Sequence, residues 1–227
     1  MSLFLAVALG AAVVAEPATT SAAAPVTVML APGKVLLDDP LNAPLATEWK
    51  AAKGKWEAVD GAVRGAELPA DMHGAVARRP VPMTDAVIAF SFKLDGAKVI
   101  SLSLNGTKGH VGRVRITPAG VTVQKDDQDG KNGPDKGAML DTAKVTIKPG
   151  EWHALVVELR GPDILATLDG KHTAFGTHEA LDKPKANLGL TVAGTSASFK
   201  GLTVRDAAGP AKDWDATRAK LLAARKK

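Results

Sequence analysis

The chain has no cysteine and no tyrosine, and aromatic residues make up only 4% of it. Without cysteine there is no disulfide, no thiolate nucleophile, no cysteine-based zinc site and no lipobox anchor. Few aromatics leave little material for the exposed ring platforms that stack sugars or single-stranded nucleic acid. Net charge is small in the body as well. The formal net charge is +5 over 227 residues, but residues 211–227 alone hold Lys212, Arg218, Lys220, Arg225, Lys226 and Lys227 against Asp213 and Asp215. A basic stripe of the kind that binds nucleic acid is therefore not expected, and no nucleic-acid partner is assigned. Zincin, P-loop, Rossmann and nucleophile-elbow motifs are also missing.

What is present begins with an apolar, uncharged run over residues 3–15, with small residues at Val13-Val14-Ala15 before Glu16-Pro17. It reads as a signal peptide over 1–15, although the usual basic n-region is absent. An Ala/Thr/Ser/Pro linker follows over 16–25. The expectation is an exported protein, periplasmic or secreted, with no membrane span in its mature form.

Residues 26–206 show short apolar alternations broken by turn signals every eight to twelve residues, the pattern of a sandwich or barrel. Ile88, Phe90, Phe92 and Leu94 fall on one side of a strand, with Val87, Ala89, Ser91 and Lys93 on the other. Asp60-Gly61 and Asp169-Gly170 are hairpin turns by composition. Residues 207–210 read as a boundary. Residues 211–227 read as a short basic helix or tail, with Asp213 as its cap and Trp214, Leu221 and Leu222 near one face.

One sheet face carries the candidate chemistry. A turn at 117–120 pairs Arg113 with Gln124 and Arg115 with Thr122, so these residues and Asp126 share a side. Ser101, Ser103 and Asn105, like Ser91 and Lys93, take the non-core side of their own strands and are candidates for the floor of the same groove. Such residues suit multidentate contacts to sugar hydroxyls or acids, though every sandwich also has ordinary solvated faces. His110 with Asp126 or Asp127 is the candidate acid/base pair. Asp126, Glu158 and Glu57 form a glycosidase-like carboxylate set only if the fold brings them together. The loop 127–135 has three aspartates and an asparagine but lacks EF-hand spacing, so no metal site is assigned and no cofactor is named.

Several of these stretches occur together: Lys55-Trp56 before Asp60-Gly61 and Arg64-Gly65; Gly109-His110 with Arg113 to Gly120; Gly150-Glu-Trp152-His153; Leu168-Asp-Gly170; and Phe199-Lys-Gly-Leu-Thr-Val204. This combination resembles the 3-keto-disaccharide hydrolase domain family over about residues 36–206. The resemblance implies an all-β, antiparallel jelly-roll sandwich of the concanavalin A-like type, here with a short C-terminal helix. It also implies an exported carbohydrate-active protein, hydrolysing 3-keto-glycosides in some members, with the sugar on the concave sheet face. On that reading Asp126 and His110 are the catalytic candidates, and Arg113, Arg115, Gln124, Ser101, Ser103 and Asn105 the substrate-binding ones. A non-catalytic carbohydrate-binding or envelope-interaction module is the alternative.

Overall fold

A computed structural model describes residues 25–130 and 132–224. The expected leader, most of the linker and the last three basic residues lie outside them. Fifteen strands occur among the described residues: β1 (Leu30–Asp39), β2 (Lys50–Lys53), β3 (Lys55–Val59), β4 (Ala62–Ala66), β5 (Ala75–Met83), β6 (Ala86–Leu94), β7 (Ala97–Asn105), β8 (His110–Thr117), β9 (Gly120–Lys125), β10 (Ala138–Lys144), β11 (Trp152–Arg160), β12 (Asp163–Leu168), β13 (His172–Thr177), β14 (Lys185–Gly194) and β15 (Ser196–Pro210). One helix, α1 (Trp214–Ala224), follows them.

The strands form two antiparallel sheets. The first runs β13-β12-β11-β6-β15-β4-β3, with β1 beside the second half of β15. The second runs β10-β9-β8-β7-β14-β5-β2. They stack face to face as a jelly-roll sandwich. Alternation explains the core: Ile88, Phe90, Phe92 and Leu94 of the first sheet meet Ile100, Leu102, Leu104, Val114, Ile116, Leu188 and Leu190 of the second, all buried. The Asp-Gly turns behave as their composition demands. Asp60 and Gly61 have φ of 52° and 68°, and Asp169 and Gly170 have 50° and 66°. Two successive left-handed residues make the turn whose twist matches a β-hairpin. His153, on the core side of β11, stacks on Phe92 and bonds Asp169 at 2.8 Å.

The outer face of the first sheet departs from the simple alternation. Val87 and Leu165 are buried there, with Phe175, Met29 and Leu30, beneath Trp214. Leu221 and Leu222 pack on the same cluster. Arg218 clamps the helix down through two bonds to Asp163, at 2.6 and 3.0 Å. Residues 207–210, read from composition as a boundary, are the end of β15. Ala207, Gly209 and Pro210 pair with Pro32, Ala31 and Leu30. The N-terminal segment is fixed by Glu158, which is 0% exposed. Its carboxylate accepts the backbone N–H of Val28 at 3.0 Å and of Met29 and Leu30 at 2.7 Å. Burial pushes the Glu158 carboxyl up, against the opposing pull of those three donors.

Candidate functional site

The outer face of the second sheet is open and polar. The two-residue connection at Pro118-Ala119 sets the register of β8 and β9, pairing Arg113 with Gln124 and Arg115 with Thr122. On the other side of β8, Ser103 lies opposite Arg113 and Ser101 opposite Arg115. β14 then adds Gly189 beside Ser103, Thr191 beside Ser101 and Asn187 beside Asn105. β5 places Arg78 beside Gly189. The structure thus brings Ser101, Ser103, Asn105, Arg113, Arg115 and Gln124 together on one surface. A shallow depression of about 240 Å³ lies there, lined in part by His73, Ser101, Arg113, Arg115, Gln124 and Thr191.

The floor is cross-linked by hydrogen bonds. Asn105 Nδ2 donates to Asn187 Oδ1 at 2.7 Å and to Ser103 Oγ at 3.4 Å. Ser103 Oγ donates to the Gly189 carbonyl at 3.3 Å. Asp126 is only 6% exposed. It accepts from Arg113 Nε at 2.9 Å and Gln124 Nε2 at 2.7 Å. Both its oxygens are thereby engaged, and they hold the Arg113 side chain in place.

His110 sits at the end of this face. Its Nδ1 is 2.5 Å from Asn105 Oδ1. Because the Asn105 amide nitrogen is already donating, Nδ1 carries the proton and Nε2 is left as the acceptor. Burial first, then the Arg113 and Arg78 guanidiniums, hold the imidazole below its ordinary 6.5, with Asp126 pulling the other way. The ring is therefore neutral at pH 7. The expected pairing of His110 with Asp126 is one of proximity and charge; the direct partner of the ring is Asn105.

Beyond His110 the face opens into a cleft of about 670 Å³. Its walls are the β7–β8 loop, including Lys108 and Gly109, with Gln128, Asp129, Asp135 and Lys183 opposite. This is the size range of small-ligand pockets. Lys125 is 1% exposed and points inward. Its Nζ bonds the Asp135 carboxylate and, at 2.7 Å, the Lys136 carbonyl, which draws the acidic loop against the sandwich. The Lys125 ammonium, followed by the Gln128 N–H, holds the Asp135 carboxyl below its usual range. Asp127, Asp129 and Asp135 approach within 4.8 Å of one another. Each also ties the loop to itself: Asp127 accepts from the N–H of Asp129 and Gly130, Asp129 from that of Asp135, and Asp135 from that of Gln128.

Glu158 and Glu57 do not join Asp126. Glu158 is sealed under residues 28–30 on the first sheet, and Glu57 pairs with Lys55 at 2.7 Å on β3. Ser91 and Lys93 also belong to the first sheet. Arg78, Asn187 and Gly189 join the site unannounced, because β5 and β14 reach it through non-consecutive neighbours. The alternation of residues 75–79 was the available signal, but it identifies only a strand, not its place.

A family model described as a 3-keto-alpha-glucoside-1,2-lyase-like domain matches residues 36–205. No match was found among curated proteins. Among solved structures, a carbohydrate binding module from Bacillus subtilis is similar with a TM-score of 0.58 and 15% identity, over 70% of this chain and 96% of that one. A putative glycosyl hydrolase from Parabacteroides distasonis has a TM-score of 0.53 and 16% identity, over 75% and 99%. A beta-glucanase from Bacillus licheniformis has a TM-score of 0.56 and 10% identity, over 77% and 99%. At such identities the likeness to these three is one of fold.

Proposed function

The chain belongs to the 3-keto-alpha-glucoside-1,2-lyase-like domain family, and from that premise we propose that it binds a 3-keto-glycoside across the outer face of the second sheet, with His110 as the base. The observation that carries this reading is the His110 imidazole, bonded to Asn105 at the edge of a hydrogen-bonding floor and lining a sugar-sized cleft. A ketone at C3 acidifies the proton on C2. His110 Nε2 removes that proton as the C1–oxygen bond breaks, a C1–C2 double bond forms, and the leaving alkoxide takes up a proton. Water adding across the double bond completes a net hydrolysis. Arg113, held by Asp126, is placed to stabilise the developing enolate oxygen. Arg115 and Gln124 supply hydroxyl-binding groups, and the buried Ser101, Ser103 and Asn105 form the floor beneath them. The apolar residues 3–15 support a place of work outside the cytoplasm.

A second reading is a non-catalytic carbohydrate-binding module. It is favoured by the engagement of both Asp126 oxygens, which leaves neither free for acid–base work. One experiment separates the two. The purified protein and its His110→Gln variant are incubated with 3-keto-glycosides, and sugar release and binding are followed in parallel. Turnover lost in His110→Gln with binding retained supports catalysis. Binding without turnover by either protein supports the module. Neither binding nor turnover overturns both.

A further inference from the structure

The net charge of the body conceals a local concentration of arginine. The register aligns Arg78, Gly189, Ser103, Arg113 and Gln124 in one row across β5, β14, β7, β8 and β9. Arg115 stands two residues along β8 on the same side. Among the described residues of this row and its immediate flank, the carboxylate is Asp126, already held by Arg113 and Gln124. Among the described residues, Arg78 and Arg115 are exposed and have no hydrogen-bond or ion-pair partner. Three guanidiniums against one carboxylate leave a surplus of positive charge over a floor of hydroxyl and amide groups.

The floor between them is kept clear. A Cβ at Gly189 would lie 2.5 Å from Ser103 Oγ and 3.5 Å from Arg78 Cγ. Only glycine leaves this space open between Arg78 and Arg113, which are three strand spacings apart, roughly 14 Å along the sheet. That span admits one or two sugar rings. The fields of Arg113 and Arg78 both reach His110 at the edge of the floor.

We propose that the saccharide taken by this face is acidic, carrying an oxyanion such as a uronate carboxylate or a sulfate ester that is seated between Arg78, Arg113 and Arg115. The inference rests on the carbohydrate reading above and specifies its substrate class. Guanidinium forks match planar carboxylates and sulfates in two-point contacts. Nucleic acid offers oxyanions too, but none of the described tryptophans or phenylalanines stands on this face. They lie in the core, on the first sheet or under α1. Single-strand binding without ring stacking lacks its usual platform.

The test is calorimetric titration of the full chain with trigalacturonate, a sulfated disaccharide, neutral maltotriose and a short single-stranded oligonucleotide. The expected result is binding of an acidic sugar about tenfold tighter than the neutral one. That preference should weaken as salt rises. It should fall about fivefold in Arg78→Gln and in Arg115→Gln, and remain in Lys171→Gln, which removes the same charge from a hairpin of the first sheet. Trigalacturonate and the sulfated sugar distinguish a carboxylate ligand from a sulfate one. Equal affinity for acidic and neutral sugars overturns this inference and leaves the carbohydrate reading standing. Tighter binding of the oligonucleotide than of either acidic sugar overturns it in favour of nucleic acid. Absence of binding to every saccharide overturns this inference, while the 3-keto-glycoside incubation described above decides separately whether the carbohydrate reading stands.

Discussion

Replacing Glu158 by alanine tests how the N-terminal segment is held. The carboxylate takes three backbone N–H groups, from Val28, Met29 and Leu30, at 2.7 to 3.0 Å. Each buried donor left without a partner costs about 1–3 kcal/mol. The full sum is not reached, because the segment can detach and let water satisfy its amides. Detachment in turn surrenders the burial of Met29 and Leu30, which are 0% and 1% exposed, at about 1.5–3 kcal/mol each. Removing a desolvated charge offsets part of this. The expected loss for Glu158→Ala is about 3 kcal/mol, set by the cheaper route of local release. Glu158→Gln keeps one acceptor oxygen but turns an NH₂ toward a donor, so it should lose about 1.5 kcal/mol. Urea unfolding measures both. At this chain length the alanine variant should melt roughly 6–12 °C lower. Amide exchange should quicken at Val28 to Leu30 and also at Ala211, whose N–H donates to the Met29 carbonyl at 2.9 Å. A stability change under about 0.5 kcal/mol in Glu158→Ala would refute the clamp, since an unstrained surface substitution does no more than that.

Three further outcomes follow from the same structure. The lowered His110 pKa extends the neutral form of the ring to a pH below 6.5, so the acid limb of kcat/KM should fall below 6.5 and move lower still in Asp126→Asn, which removes the one charge pulling it up. An acid limb at or above 6.5 would contradict the base assignment. The same shift means that the unfolded chain takes up this proton first, so the ring's contribution to stability is complete above pH 6.5 and is lost as pH falls through its lower folded value. Trp214→Ala empties a site that is 0% exposed and edge-on to Phe175 at 5.7 Å. Denaturant unfolding should show a loss of about 3–5 kcal/mol, with saccharide affinity unchanged because the cavity opens on the opposite sheet.

How much of this was legible depended on sequence distance. The pairing of Arg113 with Gln124 and of Arg115 with Thr122 followed from a two-residue turn, where loop length dictates register. Ser101, Ser103 and Asn105 followed from the neighbouring hairpin strand. Arg78 and Gly189 did not, because β5 and β14 reach the site by long-range pairing that alternation does not encode. Val87 fell on the side opposite the core residues of its strand and is nonetheless buried, because period two knows nothing of a helix returning from residue 214. Glu158 counted among the candidate carboxylates because its partners are the backbone of residues 28–30, and backbone donors leave no mark in a side-chain pattern. The arginine cluster was hidden by averaging, since net charge over the body does not record which charges share a face.

The central claim is that a saccharide occupies the outer face of the second sheet. Amide chemical-shift mapping of the labelled protein during titration with an oligosaccharide that binds tests it most directly. Shifts are expected to concentrate at Ser101, Ser103, Asn105, His110, Arg113, Arg115, Gln124 and Gly189, with Ala89, Ser91 and Thr203 of the first sheet unmoved. Shifts confined to the first sheet or to α1, with the Arg113 row unchanged at saturation, would contradict it.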